Sequence, residues 1–256
     1  MRGGLLLAVV VAACGFASTA GAATGDLSLS SNWAGYAVTG TEANGSPTSF
    51  SVVSGSWTQP IASCTGAPTW SSFWVGLGGF DETSQALEQI GTDSDCDASG
   101  RPVYYVWYEL VPEPPVQVRL KLFPGDRVSA VVVVHGTSVI LRLRNLTRNT
   151  VFTRHSTVST TDVTSAEWIA EAPSNCDGPS CDVLPLTNFG TVSFTGAATV
   201  GDGRAAPLAS WTVTPIELVG DGRLAAMPAS SGAVPSPVGA DGGSFSISYS
   251  DELPAP

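Results

Sequence analysis

The strongest constraint on this chain is a hydrophobic period of two that restarts again and again. Residues 32–38, 49–58, 72–76, 86–90, 103–110, 116–122, 127–134, 139–145, 151–157, 166–171, 190–194, 211–218 and 244–249 either alternate apolar with polar side chains or are rich in β-branched and aromatic ones. Clusters of Gly, Pro, Asp, Asn and Ser separate these runs, as they separate strands. No stretch sustains a helical period. Many short strands with regular turns build a sandwich or a barrel. Asp202-Gly203 and Asp221-Gly222 read as hairpin turns, and 235–243 as a loop before a last strand. With no repeat and no long mid-chain linker, the expected organisation is one β-domain over 23–256, preceded by a leader over 1–22.

The leader has a short basic start, an apolar run at 5–13 and a small-residue Ala20-Gly21-Ala22 site, the pattern of an export signal. The apolar run is too short to span a bilayer as a helix. Val11-Ala12-Ala13-Cys14 also resembles a lipoprotein box, so secretion is the expectation, with a lipid-anchored form through Cys14 as its alternative and no other stable membrane association. Conventional processing leaves Cys64, Cys96, Cys176 and Cys181, and an even number in an exported chain implies disulfides. Of the three pairings, Cys176 with Cys181 across a Gly-Pro turn is favoured, which leaves Cys64 with Cys96. A metal site is not expected: there is no Cys-x-x-Cys, and His135 and His155 are far from any cysteine.

Asp and Glu number 22 against 11 Lys and Arg, for a net charge of −11. That balance argues against a nucleic-acid partner. A chain with one lysine, Lys121, also depends little on ion pairs that fail in acid.

Period-two reading then places the polar side chains. Ala166, Trp168 and Ala170 share one strand face; Glu167, Ile169 and Glu171 share the other. Trp107 and Glu109 point the same way. Beside Trp74 on its face stand the small Ser72 and Gly76. Faces that mix Trp, Glu and Gln with small residues suit a binding groove. Glu88 faces away from Gln89 and is expected at the surface. Asn44-Gly45-Ser46 and Asn145-Leu146-Thr147 are glycosylation sequons. The chain has no Gly-x-Ser-x-Gly elbow, no His-Glu-x-x-His and no paired Asp-Thr/Ser-Gly turn. Hydrolytic chemistry would have to come from carboxylates and amides.

Six strings occur in order: Ser31-Asn32-Trp33-Ala34-Gly35-Tyr36, Trp74-Val75-Gly76-Leu77-Gly78, Leu87-Glu88-Gln89-Ile90-Gly91-Thr92-Asp93, Trp107-Tyr108-Glu109, Pro124-Gly125-Asp126 and Ala166-Glu167-Trp168-Ile169-Ala170-Glu171. Together they resemble the glutamic peptidase (eqolisin) family. The resemblance implies an all-β, two-sheet antiparallel sandwich of the concanavalin A-like jelly-roll type. It further implies a monomeric acid endopeptidase acting on polypeptides, with no metal or cofactor. Gln89 and Glu167 fall on the family's catalytic pair, and Trp33, Trp74, Asp93, Trp107 and Glu109 on groove or supporting positions. Two departures lie near the expected groove. Gly78 stands where the family commonly has Asp, and Leu110-Val111-Pro112 follows Trp-Tyr-Glu where Trp-Tyr-Pro is usual. A glycoside hydrolase or a non-catalytic carbohydrate-binding module on the same sandwich is the alternative.

Overall fold

The computed structural model describes residues 25–41, 45–81, 83–177, 180–219 and 231–251, with backbone alone at 176, 177 and 180. The expected leader with Cys14, and the expected turn at Asp221-Gly222, lie outside the described residues. In chain order the strands are β1 (Ser28–Ser30), β2 (Trp33–Thr39), β3 (Phe50–Thr58), β4 (Ser72–Leu77), β5 (Glu88–Cys96), β6 (Pro102–Leu110), β7 (Val116–Val118), β8 (Arg127–His135) and β9 (Ser138–Asn145). They continue as β10 (Thr150–Thr157), β11 (Ala166–Glu171), β12 (Ser174–Asp177), β13 (Ser180–Val183), β14 (Thr191–Gly201), β15 (Arg204–Pro207), β16 (Thr212–Leu218), β17 (Gly232–Pro235) and β18 (Phe245–Ser250). Among the described residues the only helical turn is a short 3-10 segment at Leu208–Ser210, so the all-β expectation holds.

Two layers form. One runs β7-β6-β5-β4-β11-β2-β16-β17 and the other β18-β14-β3-β8-β9-β10; pairing of β17 with β18 makes them one continuous, folded-over sheet. Every pairing is antiparallel except β1 with β16. The core lies between the layers because each strand turns its alternate apolar residues inward. Phe73, Val75, Ile90, Val106 and Trp168 from the first layer meet Trp57, Val128, Ala130, Val132 and Leu141 from the second. Polar bridges fix the two layers' alignment. The Trp57 indole donates to Thr92 Oγ1 at 2.9 Å, and the Trp168 indole donates to the Ser54 carbonyl at 2.8 Å. Gly55 makes room for the second bridge, since a Cβ there would stand 2.9 Å from Trp168 Cδ1.

The structure departs from the sequence expectation most clearly at β5. Its expected end was Ile90, because Gly91-Thr92-Asp93-Ser94-Asp95 reads as a turn; the strand runs on to Cys96 with every residue buried. Buried polar groups persist only when hydrogen-bonded. The Gln59 side-chain amide donates to the Asp93 carbonyl (2.8 Å) and to Ser94 Oγ (2.7 Å), and the Ser71 N–H donates to Asp95 Oδ1 (3.0 Å). Asp202 and Gly203 form the expected hairpin turn between β14 and β15, both at positive φ.

Cys64 and Cys96 form the expected disulfide, which ties the end of β5 to the segment preceding β4. Cys181 is also disulfide-bonded, and the β12–β13 ribbon sets the Cys176 backbone directly opposite it. A Cys64–Cys96 bond closing a loop of 32 residues restricts the unfolded chain by about 3–4 kcal/mol. Replacing both cysteines by serine is expected to lower the unfolding free energy by that amount in a denaturant titration under oxidising conditions. An unchanged midpoint would show that the bond adds nothing.

Candidate active site

The outer face of the first layer carries the polar residues singled out by the sequence, and register decides which of them meet. Strand β11 lies between β2 and β4, far from both in sequence. Reading across the sheet, Glu167 is level with Gly76 on β4, Gly76 with Gln89 on β5, and Gln89 with Glu109 on β6. The four positions share one row and one face. Two strand spacings, about 9.6 Å of backbone, separate Glu167 from Gln89. The strand between them has no side chain at Gly76, and Leu87 and the Trp74 ring close over that point beside Gln89. A Cβ at Gly76 would meet Leu87 Cδ1 and the Trp74 ring at 2.9 Å and Gln89 Cβ at 3.3 Å. The sequence alone could not bring 89 and 167 together; the insertion of β11 beside β4 does.

The surroundings are apolar and tight. Ala37, Trp74, Leu87, Trp107, Ile169 and Ile216 form a second buried cluster on this face, with Trp33, Phe80, Tyr105 and Val111 packed against it. Trp74 is fully buried and Trp107 is 6% exposed. These tryptophans therefore act as packing beneath the face, while the half-buried Trp33 sits edge-on to Trp74 at 5.0 Å between centroids. The expected open groove is displaced. A cleft of about 1030 Å³ opens beside the row, lined by Ser28–Ser30, Trp33, residues 79–81 and 83–86, and Thr160, Asp162 and Ser165. Its walls end at Ala86 and Ser165, each a few residues in sequence from Gln89 or Glu167.

Neutral donors hold most of the carboxyl groups. The Gln89 amide donates to Glu109 Oε2 at 2.6 Å. The Trp107 indole donates to Asp93, and Tyr105 donates its hydroxyl to Asp95 at 3.0 Å. Half-buried Glu171 accepts from the Trp74 indole (2.7 Å) and from Asn32 Nδ2 (3.1 Å). Among the described residues neither carboxyl oxygen of Glu167 has a hydrogen-bond partner, and neither does Gln89 Oε1. Burial raises the Glu167 carboxyl well above the ordinary carboxylate range, opposed by the nearby Ser165 hydroxyl and reinforced by the charges of Asp162 and Glu88. Burial likewise lifts Glu171 to about 7 and Asp95 to about 6, and raises Glu109 and, further, Asp93.

Two residues went unrecognised in the sequence. Glu88 was expected at the surface because it alternates with Gln89, yet it is 1% exposed. The first layer is covered on both faces at this point, so the opposite face is the interior. Burial and the Asp162 charge push its carboxyl up to about 8. Asp162 fills the space beside Gly78, where an added Cβ would stand 2.6 Å from Asp162 Cβ and 2.7 Å from its carbonyl oxygen. Its carboxylate accepts from Ser84 Oγ at 2.5 Å and from the Gly79 N–H at 3.3 Å, tying the cleft loop to the β10–β11 connection. The departure at Gly78 thus leaves the spot occupied by a carboxylate from another part of the chain. Val111, at the other departure, packs against the site cluster. His135 and His155 lie exposed on the second layer, and among the described residues no group of His, Cys, Asp and Glu has the arrangement of a metal site.

Glu109 and Glu167 stand three strand spacings apart, about 14 Å of backbone, with Gln89 between them. That row does not present the paired carboxyls that glycoside hydrolysis requires.

Comparison with known proteins gives the fold and the family. A scytalido-glutamic peptidase solved with a transition-state analogue inhibitor superposes with a TM-score of 0.70 at 26% identity, covering 86% of this chain and 98% of that one. The aspergilloglutamic peptidase from Aspergillus niger superposes with a TM-score of 0.57 at 25% identity, covering 71% and 99%. SCP-B, an eqolisin solved with the tripeptide Ala-Ile-His, shares the fold at a TM-score of 0.65 and 24% identity, covering 86% and 98%. None of the curated proteins matches the sequence. The Peptidase A4 family pattern, however, matches residues 31–234. Spanning most of the chain and every strand of the row described above, that match places the protein in the peptidase A4 (eqolisin) family of peptidases.

Proposed function

We propose that this peptidase is an exported acid endopeptidase that cleaves polypeptides with Gln89 and Glu167. The observation that supports the pairing is the row Glu167–Gly76–Gln89, which sets an amide and a carboxyl on one sheet face beside one apolar cluster. Relatives of the same fold were solved with a peptide-based transition-state analogue and with a tripeptide, which fits a peptide lying in the neighbouring cleft.

The chemistry follows from the residue types. A water held between the two side chains loses a proton to Glu167, of which burial leaves only a fraction ionised in acid, and attacks the scissile carbonyl. Gln89 donates an N–H to the oxygen that becomes negative; its amide is a donor that does not titrate, so it works in acid. Glu109, accepting the other N–H of Gln89, fixes the amide's orientation. Protonated Glu167 then returns its proton to the leaving nitrogen. The low-dielectric recess strengthens each of these interactions. The Cys64–Cys96 disulfide suits an oxidising compartment outside the cytoplasm.

Glu167→Gln and Gln89→Ala are each expected to cut kcat/KM on acid-denatured casein by at least about 100-fold, with the fold intact by circular dichroism. Wild-type digestion is expected to persist with pepstatin present. Near-wild-type turnover by either variant would sink the pairing.

The fold's own titration sets the working range. Buried Glu88, Asp93, Asp95 and Glu167 and half-buried Glu109 and Glu171 all have folded pKa values raised above the unfolded value of about 4. Their contribution is fully present below that value and is lost as pH rises through the folded values, which for Asp95, Glu171 and Glu88 means about 6, 7 and 8. Hydrogen-bonded Asp126 and Asp162 are shifted the other way and lose their contribution as pH falls below the ordinary range. The thermal midpoint is therefore expected to peak near pH 4 and decline steadily to pH 8. A maximum at neutral pH in a calorimetric series would contradict this account.

A further inference from the structure

Charge is divided unevenly along the chain. Of the 11 Lys and Arg residues, seven fall between residues 119 and 154, a stretch whose sole acid is Asp126. That stretch contains β8 and β9 and most of β10, an antiparallel meander at one edge of the second layer. Its even and odd positions separate cleanly. On β9, Val139, Leu141 and Leu143 are buried, while Arg142 and Arg144 are exposed on the outside; Arg127 is exposed at the head of β8. Asp126 is taken: it is buried and paired with Arg148 at 2.7 Å. Among the described residues the one other ion pair is Arg101–Asp97, so Arg127, Arg142 and Arg144 carry uncompensated charge.

The neighbours of these arginines mix hydroxyls with the valines Val131 and Val151, and Arg144 also donates to Asn149 Oδ1 at 2.8 Å. Arg144 is level with Ser129 on β8, Ser129 with Ser56 on β3, and Ser56 with Thr195 on β14. Arg142 is level with Thr153 on β10 and, through Val131, with Ser54. No Asp or Glu occurs anywhere in β3, β8, β9, β10, β14 or β18. In a protein of net charge −11, a sheet face without one carboxylate concentrates a positive field on an otherwise negative surface.

We propose that this outer face of the second layer binds an anionic polysaccharide, one charged through sulfate or phosphate esters. Arginine forks grip such esters bidentately, and the rows of Ser and Thr both donate and accept, as sugar hydroxyls require. Arg142 and Arg144, two residues apart on one strand, repeat at about 6.8 Å, a spacing that one flexible polymer can follow. Strong-acid esters stay fully ionised at pH 4, whereas carboxylates are already partly neutralised there. The face lies on the layer opposite Gln89, Glu167 and the cleft, so a bound polymer would leave the cleft open. The inference is independent of the peptidase chemistry.

The test is binding of fluorescently labelled heparin and dextran sulfate to the full-length protein at pH 4 and low salt, with neutral dextran, single-stranded DNA and anionic phospholipid vesicles as comparisons. The wild type is expected to bind both sulfated polymers and not dextran, with affinity falling as salt rises. Arg142→Ser/Arg144→Ser is expected to weaken that binding about ten-fold or more, with the thermal midpoint and hydrolysis of a short peptide unchanged. Equal binding by wild type and double variant overturns the proposal. So does absent binding to either sulfated polymer, or preferential binding to DNA or vesicles. Because hydrolysis is measured separately, a protein that binds but does not cleave would refute the peptidase reading alone.

Discussion

The first layer depends on one arrangement: carboxyl groups buried on and through a sheet with almost no cations to pair them. Glu88, Asp93, Asp95, Glu109, Glu167 and Glu171 are all withdrawn from water, and burial raises each of them. The groups that answer four of them, Asp93, Asp95, Glu109 and Glu171, are neutral: two indoles, a phenol, two amides and a backbone N–H. A neutral donor serves a carboxyl in either protonation state, because a protonated carboxyl still accepts. A lysine in the same place would be left buried and unpaired once the carboxyl protonated, at a cost of several kcal/mol. Two ion pairs among the described residues and a single lysine in the sequence are the compositional trace of that choice.

The same arrangement ties stability to chemistry. The burial that raises the Glu167 carboxyl also makes a Gln89 N–H a stronger donor, because low-dielectric surroundings strengthen a hydrogen bond. Glu109 and Leu87 serve both ends: the first holds the Gln89 amide, the second fills the space over Gly76. Asp162 belongs to the same logic. It reaches the recess from the β10–β11 connection, fills the space that Gly78 leaves, and secures the cleft loop through Ser84 and Gly79. A change at one motif position is thus absorbed by a residue far from it in sequence.

Much of the fold was legible in the sequence, for a local reason. Alternation is a property of neighbouring residues, so strands such as β8, β9 and β11 stand out unaided. The disulfide between Cys64 and Cys96 was legible by elimination. The second half of β5 was not, because its polar residues imitate a turn and owe their place to Gln59, Ser71, Tyr105 and Trp107. Glu88 was misjudged because alternation tells which face a residue takes but not whether that face meets water. The basic face was present in the sequence as a run of cations, but only the meander shows that the run becomes one surface.

The proposed pair is the hardest feature to read, and the reason is topological. Cations at 127, 142 and 144 become neighbours through hairpins, whereas Gln89 and Glu167 become neighbours only when β11 enters between β2 and β4. Contacts of such long sequence separation carry the greatest loop-closure cost and reward folding last. Strand β11 also bears Trp168, whose indole pins the two layers together at Ser54. The insertion of β11 thus sets Trp168 in the core and Glu167 level with Gly76 together. The basic face is held by hairpins and asks for no such insertion, whereas the row that carries the proposed pair does.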